Sequence, residues 1–335
     1  MSGRQSVHEH DLEAVPRSIA IVGAGRMGVG IAETLVLAGL EVVVTDVTPQ
    51  LGQAALERLA ARMHSHADAG LIDRDAAALA ATVRAADGIP SAVESADLVI
   101  EAVTEDIEVK ERVLRACEAA APAGAIMASN TSSLSIDALA RFVERPARFI
   151  GMHWFNPPEW TPGVEVVLGE HTDPAVAERV VGLLRAVGKR PSVVSGGVGF
   201  IANRLQMALF CEAARCVEEG LATPRAIDEV VRSSFGFRLP FFGPFQIADM
   251  AGLDIYEAVA EQHEQGLGER FRVPEALRAL IRQGRCGTSA GAGFYDYEAD
   301  AADRVLVERD RRYAALSELL ARLPPVEFDG GQAVP

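Results

Sequence analysis

Residues 18–30, Ser18-Ile-Ala-Ile-Val-Gly-Ala-Gly-Arg-Met-Gly-Val-Gly30, are the most informative about the fold, together with the β-branched run Glu41-Val-Val-Val-Thr-Asp46 that follows them. A short apolar run that ends at a glycine, such as residues 18–22, is typical of a buried parallel strand. Residues 29–38 have the pattern of a helix, and Gly39 can end it. The chain therefore begins with a strand, a glycine-rich turn, a helix and a second strand.

The same alternation continues to about residue 195. Residues 49–80 predict two helices interrupted near Gly70, and further helices are predicted at 108–121 and 174–187. Further strands are predicted at residues 97–100, 125–128, 148–151, 164–168 and 191–194. Strands that alternate with helices in this way predict an α/β fold with an N-terminal Rossmann-type doubly wound sheet, mainly parallel.

Beyond Gly196-Gly197 the pattern changes to helices without a convincing strand between them. Helices are predicted at residues 200–219, 224–234, 244–263 and 274–284. An all-helical C-terminal domain is therefore expected after the sheet domain. The predicted organisation is a polar N-terminal tail (1–16), a Rossmann domain (17–196), a helical domain (197–300), and a C-terminal helix and tail (301–335).

The composition limits the classes of partner. The 335 residues include 32 Lys and Arg against 47 Asp and Glu, a formal net charge of −15. Phosphate backbones and anionic membranes are bound through positive charge, so we expect neither a nucleic acid nor a membrane as partner. The N-terminal residues lack the apolar run of a signal peptide, and the four cysteines form no CxxC pair. Reduced thiols and a cytoplasmic location are therefore expected.

The glycine-rich turn has the spacing of a dinucleotide-binding loop. Its glycines follow the pattern GxGxxGxG, which allows a tight turn, close approach of a pyrophosphate and close helix–strand packing. Asp46, at the end of the next strand, can accept hydrogen bonds from both hydroxyls of the adenosine ribose. Its negative charge would repel a 2′-phosphate. NAD is therefore favoured over NADP; FAD is the chemical rival, but flavin enzymes of this type are usually longer. The residues predicted to contact NAD here are Gly23, Gly25, Arg26, Met27, Gly28 and Asp46.

His153 and Glu165 have the chemistry needed to oxidise a secondary alcohol. The reaction needs a base for the hydroxyl proton, and histidine is the side chain best suited to that task near neutral pH. His153 ends a predicted strand, at the carboxyl edge where open α/β sheets bind ligands. Glu165 lies in the next strand-like run, where it can hold the imidazole tautomer. No metal site is expected, because His64 and His66 would point to different faces of a helix.

The segment Gly151-Met-His153-Trp-Phe-Asn156-Pro, with Glu165 after it, resembles the 3-hydroxyacyl-CoA dehydrogenase family. The resemblance extends over residues 18–297, and several independent motifs occur in the family's order. Besides the glycine loop these are Glu101-Ala-Val-Thr-Glu105-Asp-Ile-Glu-Val-Lys110, Ser129-Asn-Thr-Ser132-Ser133, Gly199-Phe-Ile-Ala-Asn203-Arg, Gly243-Pro-Phe-Gln-Ile-Ala-Asp249 and Gly293-Phe-Tyr295.

The resemblance implies roles for matched positions. It implies that Ser132 and Asn203 hydrogen-bond the substrate oxygen and orient the histidine, which completes a catalytic set of His153, Glu165, Ser132 and Asn203. It also implies that the cofactor and the active-site cleft are lined by Glu105, Lys110, Asn130, Ser132 and Asn156. A homodimer through the C-terminal helical domain is a further implication of the resemblance.

The substrate is left open between two classes. The first is an (S)-3-hydroxyacyl-CoA, oxidised to the 3-ketoacyl-CoA, with Arg58 and Arg62 in place of the lysines that meet CoA in the fatty-acid branch. The second is a CoA-free hydroxy acid or alcohol, because Pro162 and Arg238 look like the L-gulonate and carnitine dehydrogenase relatives, and Arg238 can bind a carboxylate bidentately. A non-catalytic NAD-binding homologue is the rival from another class. The presence of the set His153, Glu165 and Asn203 argues against it, because such a protein has no chemical need for them.

Overall fold

The computed structural model describes residues 15–298 and 301–324, without the side chains of 301–303. Most of the predicted N-terminal tail and the end of the C-terminal tail lie outside the described residues. The chain divides between Ala208 and Leu209 into two compact units. This division lies later than the predicted boundary at 196–197, within a helix that begins at Ala202 and ends at Glu218.

The first unit is built on one eight-stranded sheet with the strand order β3-β2-β1-β4-β5-β6-β7-β8. All neighbours are parallel except β6 and β7, so the predicted doubly wound, mainly parallel sheet is confirmed. The strands are β1 (Ser18–Val22), β2 (Glu41–Thr45), β3 (Arg84–Ala85), β4 (Leu98–Glu101), β5 (Ile126–Ser129), β6 (Phe149–Trp154), β7 (Gly163–Leu168) and β8 (Arg190–Ser195).

Helices cover both faces of this sheet, because its central strands are apolar on both sides. In β1, Ile19 and Ile21 contribute to one core cluster, and Ala20 and Val22 to the other, as the two-residue repeat of a strand requires. Side chains of α1, α2 and α7 fill the first cluster, and those of α4, α5 and α6 fill the second. The helices are α1 (Arg26–Val36), α2 (Pro49–Asp68), α3 (Arg74–Ala77), α4 (Ile89–Val93), α5 (Ile107–Ala120), α6 (Ile136–Ala140) and α7 (Pro174–Ala186).

Candidate site residues lie together at the carboxyl edge of the sheet. Gly23 follows β1 and Asp46 follows β2, while Glu101 and Ser129 are the last residues of β4 and β5. His153 is the penultimate residue of β6. The strand order reverses at β1, between β2 and β4, which is where open α/β sheets form a ligand crevice.

The second unit is helical in its described part. The predicted single helix at 244–263 is wrong: Gly252, with a φ of +101°, separates two helices there. A small core of Ala248, Leu253, Val273 and Leu277 packs three helices together, α10 (Pro244–Ala251), α11 (Leu253–Leu267) and α12 (Glu275–Arg282). The chain also forms α8 (Ala202–Glu218), in which it divides, α9 (Pro224–Ser233) and α13 (Ala301–Arg322).

Asp249 joins two of the sequence motifs of this unit. Its buried carboxylate accepts hydrogen bonds from the Phe294 amide at 2.9 Å, the Tyr295 amide at 3.0 Å and the Tyr297 hydroxyl at 2.9 Å. A Cβ at Gly293 would lie 2.2 Å from an Asp249 oxygen, so only glycine fits there. This aspartate therefore has a structural part in the fold. Among the described residues, no helix is both long and apolar enough to cross a membrane.

Candidate active site

In the glycine loop after β1, backbone atoms lie too close to Gly23 and Gly28 for either residue to carry a side chain. Gly23 has a φ of +102°, and a Cβ there would lie 2.6 Å from the backbone carbonyl of Ala102. A Cβ at Gly28 would lie 2.0 Å from the carbonyl oxygen of Gly23. These approaches bring the start of α1 against the end of β1, as the predicted dinucleotide loop requires.

Gly25 differs from the other two glycines because its Cβ position opens into free space. No heavy atom lies within 4 Å of that position, and Gly25 is the N-cap of α1 without a side-chain hydrogen bond. The exposed first turn therefore offers room and unsatisfied amides to a pyrophosphate. Asp46 accepts hydrogen bonds from the amides of Ala24 at 2.9 Å and Val47 at 2.7 Å, so its carboxylate is fixed beside the loop. These residues fit a dinucleotide; Arg26 is exposed at the same turn and Met27 is half-buried.

Two alanine substitutions separate the structural from the ligand-binding glycine. Gly28→Ala is expected to lower the free energy of unfolding by about 1–3 kcal/mol or more, because the new Cβ overlaps backbone. Gly25→Ala is expected to leave the stability of the free protein unchanged but to weaken NAD binding at least about tenfold, because the methyl group occupies the space for the pyrophosphate. Thermal unfolding without ligand and calorimetric NAD titration measure both. An unchanged NAD affinity in Gly25→Ala would contradict this placement of the cofactor.

His153 and Glu165 form a buried pair. They are directly opposite each other in the antiparallel ladder of β6 and β7, and His153 Nδ1 lies 2.7 Å from Glu165 Oε2. The other oxygen, Glu165 Oε1, accepts hydrogen bonds from the amides of Ile201 at 3.0 Å and Ala202 at 2.9 Å, at the start of α8. Because the carboxylate engages Nδ1, Nε2 is the ring nitrogen that can act on a substrate hydroxyl.

Two aromatic rings lie against the imidazole. The ring centroids of Phe155 and Phe200 are 4.6 Å and 5.5 Å from that of His153. Phe200 is 3% exposed, and His153 is 4% exposed. The rings limit the orientations that the imidazole can adopt and shield its contact with Glu165 from water.

Glu105 organises the loop that carries Ser132. Its Oε1 accepts hydrogen bonds from the amides of Ser132 and Ser133, both at 2.8 Å, and from the Thr131 hydroxyl at 2.6 Å. The serine hydroxyls lie at 3.3 and 2.9 Å from the same oxygen. Asn203 Nδ2 donates to the carbonyl oxygen of Ser132 at 3.1 Å. Ser132 and Asn203 are thus brought together, and the contact runs through the Ser132 backbone.

The Glu105 carboxylate is held in its ionised form. Burial raises its pKa, but the hydrogen bond from Thr131, the charge of Lys110 and the two serine amides outweigh burial and lower the pKa from 4.5 to about 2. Glu105 therefore stays ionised in the folded protein down to about pH 2. The stabilisation that its lowered pKa provides is complete above the ordinary pKa of 4.5 and is lost as the pH falls from there through about 2.

Lys110 lies inside the protein and not on the surface of the cleft that it was predicted to line. It is 1% exposed, and its Nζ is 2.7 Å from Glu101 Oε1 and 3.3 Å from Glu105 Oε2. Glu101, fully buried, also accepts hydrogen bonds from the Val103 amide at 2.7 Å and the Ser129 hydroxyl at 2.5 Å. Lys110 is therefore positioned to act through Glu105, since a buried ammonium with two carboxylate partners is not available to a ligand.

The two predicted cofactor-lining asparagines have different surroundings. Asn130 Oδ1 accepts a hydrogen bond from the Trp154 amide at 2.9 Å and so ties the end of β5 to β6. Asn156 lies two residues beyond β6 and is exposed. Their contacts with the cofactor stay predictions.

Arg62 has partners other than the predicted substrate phosphate. Its Nε lies 2.9 Å from Glu33 Oε2, and its Nη2 contacts Glu159 Oε1. Both glutamates are buried, and Glu33 Oε1 is also 2.6 Å from His66 Nδ1. The guanidinium charge is thus used to neutralise carboxylates of the protein itself. Arg238, the second candidate, is exposed in the connection between α9 and α10, and its role stays a prediction.

Several residues of this region have no role that the sequence alone predicts. Glu101 is the exception in principle, because a charged residue at the end of an apolar strand is a signal for a buried ion pair. Thr131, Glu33 and Glu159 gave no such signal, because their partners are distant in sequence. Phe200 gave none either, since its backbone conformation cannot be read from its residue type.

Two family models match most of the chain. The NAD-binding domain of 3-hydroxyacyl-CoA dehydrogenase matches residues 18–197, and the C-terminal domain of the same family matches residues 199–297. The chain belongs to the 3-hydroxyacyl-CoA dehydrogenase family. Its sheet unit is accordingly an NAD-binding domain, and the protein is an NAD-dependent dehydrogenase that acts on a hydroxyl group.

The names of relatives within this family give different substrates. The 5-formyl-3-hydroxy-2-methylpyridine 4-carboxylate 5-dehydrogenase of Mesorhizobium japonicum is 38% identical over 91% of this chain and 98% of its own length. A probable 3-hydroxybutyryl-CoA dehydrogenase of Bacillus subtilis is 37% identical over 84% of this chain and 98% of its own. The crystal structure of a 3-hydroxyacyl-CoA dehydrogenase from Archaeoglobus fulgidus is similar with a TM-score of 0.76, at 33% identity, and the match covers 91% of this chain and 99% of that one.

Proposed function

We propose that this protein oxidises the 3-hydroxyl of an (S)-3-hydroxyacyl-CoA to the 3-ketoacyl-CoA, reversibly and with NAD. The observation that carries the proposal is the buried contact of 2.7 Å between His153 Nδ1 and Glu165 Oε2 at the carboxyl edge of the sheet. A base held in one tautomer at this edge is what removal of a hydroxyl proton needs. The relatives named 3-hydroxybutyryl-CoA dehydrogenase support the acyl-CoA substrate.

Different residues of the chain carry out different parts of the reaction. NAD, when bound, supplies the acceptor for the hydride. His153 Nε2 takes the hydroxyl proton, and Glu165 balances the charge of the imidazolium that forms. The two amides at the start of α8 hold the Glu165 carboxylate in place. Ser132 and Asn203 orient the substrate oxygen, and Glu105 fixes the backbone that carries Ser132.

A second candidate function is the same oxidation of a CoA-free hydroxy acid or alcohol. The observation that favours it is the engagement of Arg62 by Glu33 and Glu159, which removes a predicted cation for the phosphates of CoA. The relative named for the dehydrogenation of a formylpyridine carboxylate supports a substrate without CoA. Arg238 would then bind the substrate carboxylate.

A matched substrate panel tests both candidates. NADH formation is followed on (S)-3-hydroxybutyryl-CoA and on free (S)-3-hydroxybutyrate, L-carnitine, L-gulonate and a hydroxymethylpyridine carboxylate. We expect the CoA ester to give the highest kcat/KM, and Arg238→Met to leave that value unchanged. Activity on the free acids alone, lowered by Arg238→Met, would replace the first candidate by the second. A protein that binds NAD but oxidises none of these compounds would contradict both candidates.

The assembly and the location of the protein stay proposals. We propose a homodimer through the helical C-terminal region, on the resemblance described above, and a cytoplasmic location, on the pattern of the four cysteines. Light scattering of the purified chain, at concentrations around those used for activity, measures the first of these directly.

A further inference from the structure

Phe200 has a backbone conformation that its residue type disfavours. Its φ of +49° is the only positive value at a non-glycine position in the part of the chain that the structure describes, and Gly199 before it has a φ of +71°. A bulky residue in the left-handed region is strained, and such strain persists only where the surrounding structure imposes it. Phe200 is 3% exposed, and it belongs to the core cluster on the α5 side of the sheet.

The two left-handed residues set the direction in which α8 begins. The chain leaves β8 at Ser195, and after Phe200 the next two amides, of Ile201 and Ala202, both donate to Glu165 Oε1. At the same point the Phe200 ring lies 5.5 Å from the His153 ring. One strained residue therefore contacts the base directly and is adjacent to the two donors that hold the base's carboxylate partner.

We propose that Phe200 is a positioning residue for the catalytic pair. Its left-handed turn aims the two amides at Glu165, and its buried ring keeps the turn in place against the imidazole. This inference rests on the proposed function, in which His153 is the base. Glu165 is the charged group that meets these amides, and the groups around the imidazole are Glu165 from β7 and the rings of Phe155 and Phe200.

A pair of substitutions of similar polarity tests the turn. Leucine pays a penalty in the left-handed region similar to that of phenylalanine, whereas a β-branched valine pays a larger one. We expect Phe200→Val to lower kcat about tenfold or more, and Phe200→Leu to stay within about threefold of the wild type, because small displacements of a base are costly. The dissociation constant of NAD is expected to stay the same in both. If Phe200 had only a structural role, both variants would have a lower thermal stability, but their kcat values per folded molecule would be equal.

A second pair removes one donor and leaves the turn residue in place. Ala202 is the first residue of α8, where proline is tolerated, so Ala202→Pro deletes one amide hydrogen with little change to the helix. Ala202→Ser is the comparison that retains the amide. We expect kcat to fall further in Ala202→Pro than in Ala202→Ser, by about threefold or more, because the carboxylate loses one of its two backbone donors. This pair remains informative if Phe200→Val does not fold.

The outcomes separate this inference from the proposed function. Equal kcat values in Phe200→Val and Phe200→Leu, or in Ala202→Pro and Ala202→Ser, would overturn the role of the turn. If His153→Gln is inactive while all four variants match the wild type, only this inference fails. If His153→Gln is fully active, the proposed base fails, and the inference fails with it.

Discussion

Replacing His153 by glutamine is expected to lower kcat by at least about a hundredfold, which is the usual contribution of a positioned general base. Glutamine can still donate a hydrogen bond to the Glu165 carboxylate, but its amide cannot take up the proton of a substrate hydroxyl. NAD binding is expected to stay intact, because the dinucleotide loop lies after β1 and not on β6. The initial rate of NADH formation gives kcat, and calorimetric titration gives the NAD affinity.

His64→Gln is the matched control for this substitution. His64 is exposed on α2, and its Nδ1 lies 2.7 Å from the carbonyl oxygen of Ala60, one turn earlier in the same helix. The same change of residue type there should leave kcat unchanged. A His153→Gln enzyme with the full wild-type kcat would refute the assignment of the base.

The sheet unit could be predicted well because the patterns that specify its strands and turns lie within short stretches of the sequence. Short apolar runs such as 19–22 and 42–45 are buried on both faces, and the glycines between them leave few alternative conformations. Over residues 244–263 the apolar periodicity continues through Gly252. It therefore predicted one helix where the chain forms two. A glycine in a helical pattern is tolerated often enough that its φ cannot be predicted from its neighbours.

The site was predictable only to the level of residue types. His153 and Glu165 were expected on neighbouring strands, but their direct opposition depends on β6 and β7 being antiparallel in a parallel sheet. Lys110 was expected at the surface of the cleft, and its burial follows from Glu101, nine positions earlier, at the end of another element. The partners of Arg62 lie on α1 and beyond β6, so no local pattern could identify them.

Glu101→Leu is expected to lower the free energy of unfolding of the sheet unit by about 3 kcal/mol or more, because it leaves the Lys110 ammonium without its nearest counter-charge. The two side chains are 0% and 1% exposed, so water cannot replace the lost partner. Ser129 loses its acceptor as well, which adds the cost of an unpaired buried hydroxyl. Both tryptophans, Trp154 and Trp160, lie in the sheet unit, so urea unfolding followed by tryptophan fluorescence reports on it.

The double variant Glu101→Leu/Lys110→Met shows whether the cost comes from the stranded charge. With both charges removed, the Lys110 ammonium no longer lacks a counter-charge, although the Ser129 hydroxyl still lacks its acceptor. We therefore expect the double variant to regain at least about half of the lost stability. The kcat of the double variant should nevertheless be lower than that of the wild type. Glu105 would then lack the ammonium that lies 3.3 Å from its Oε2, while its Oε1 still has to hold the Ser132 amide. Recovered stability without recovered activity would assign Lys110 to positioning Glu105. Recovery of neither would mean that the methionine does not fit the space that Lys110 fills.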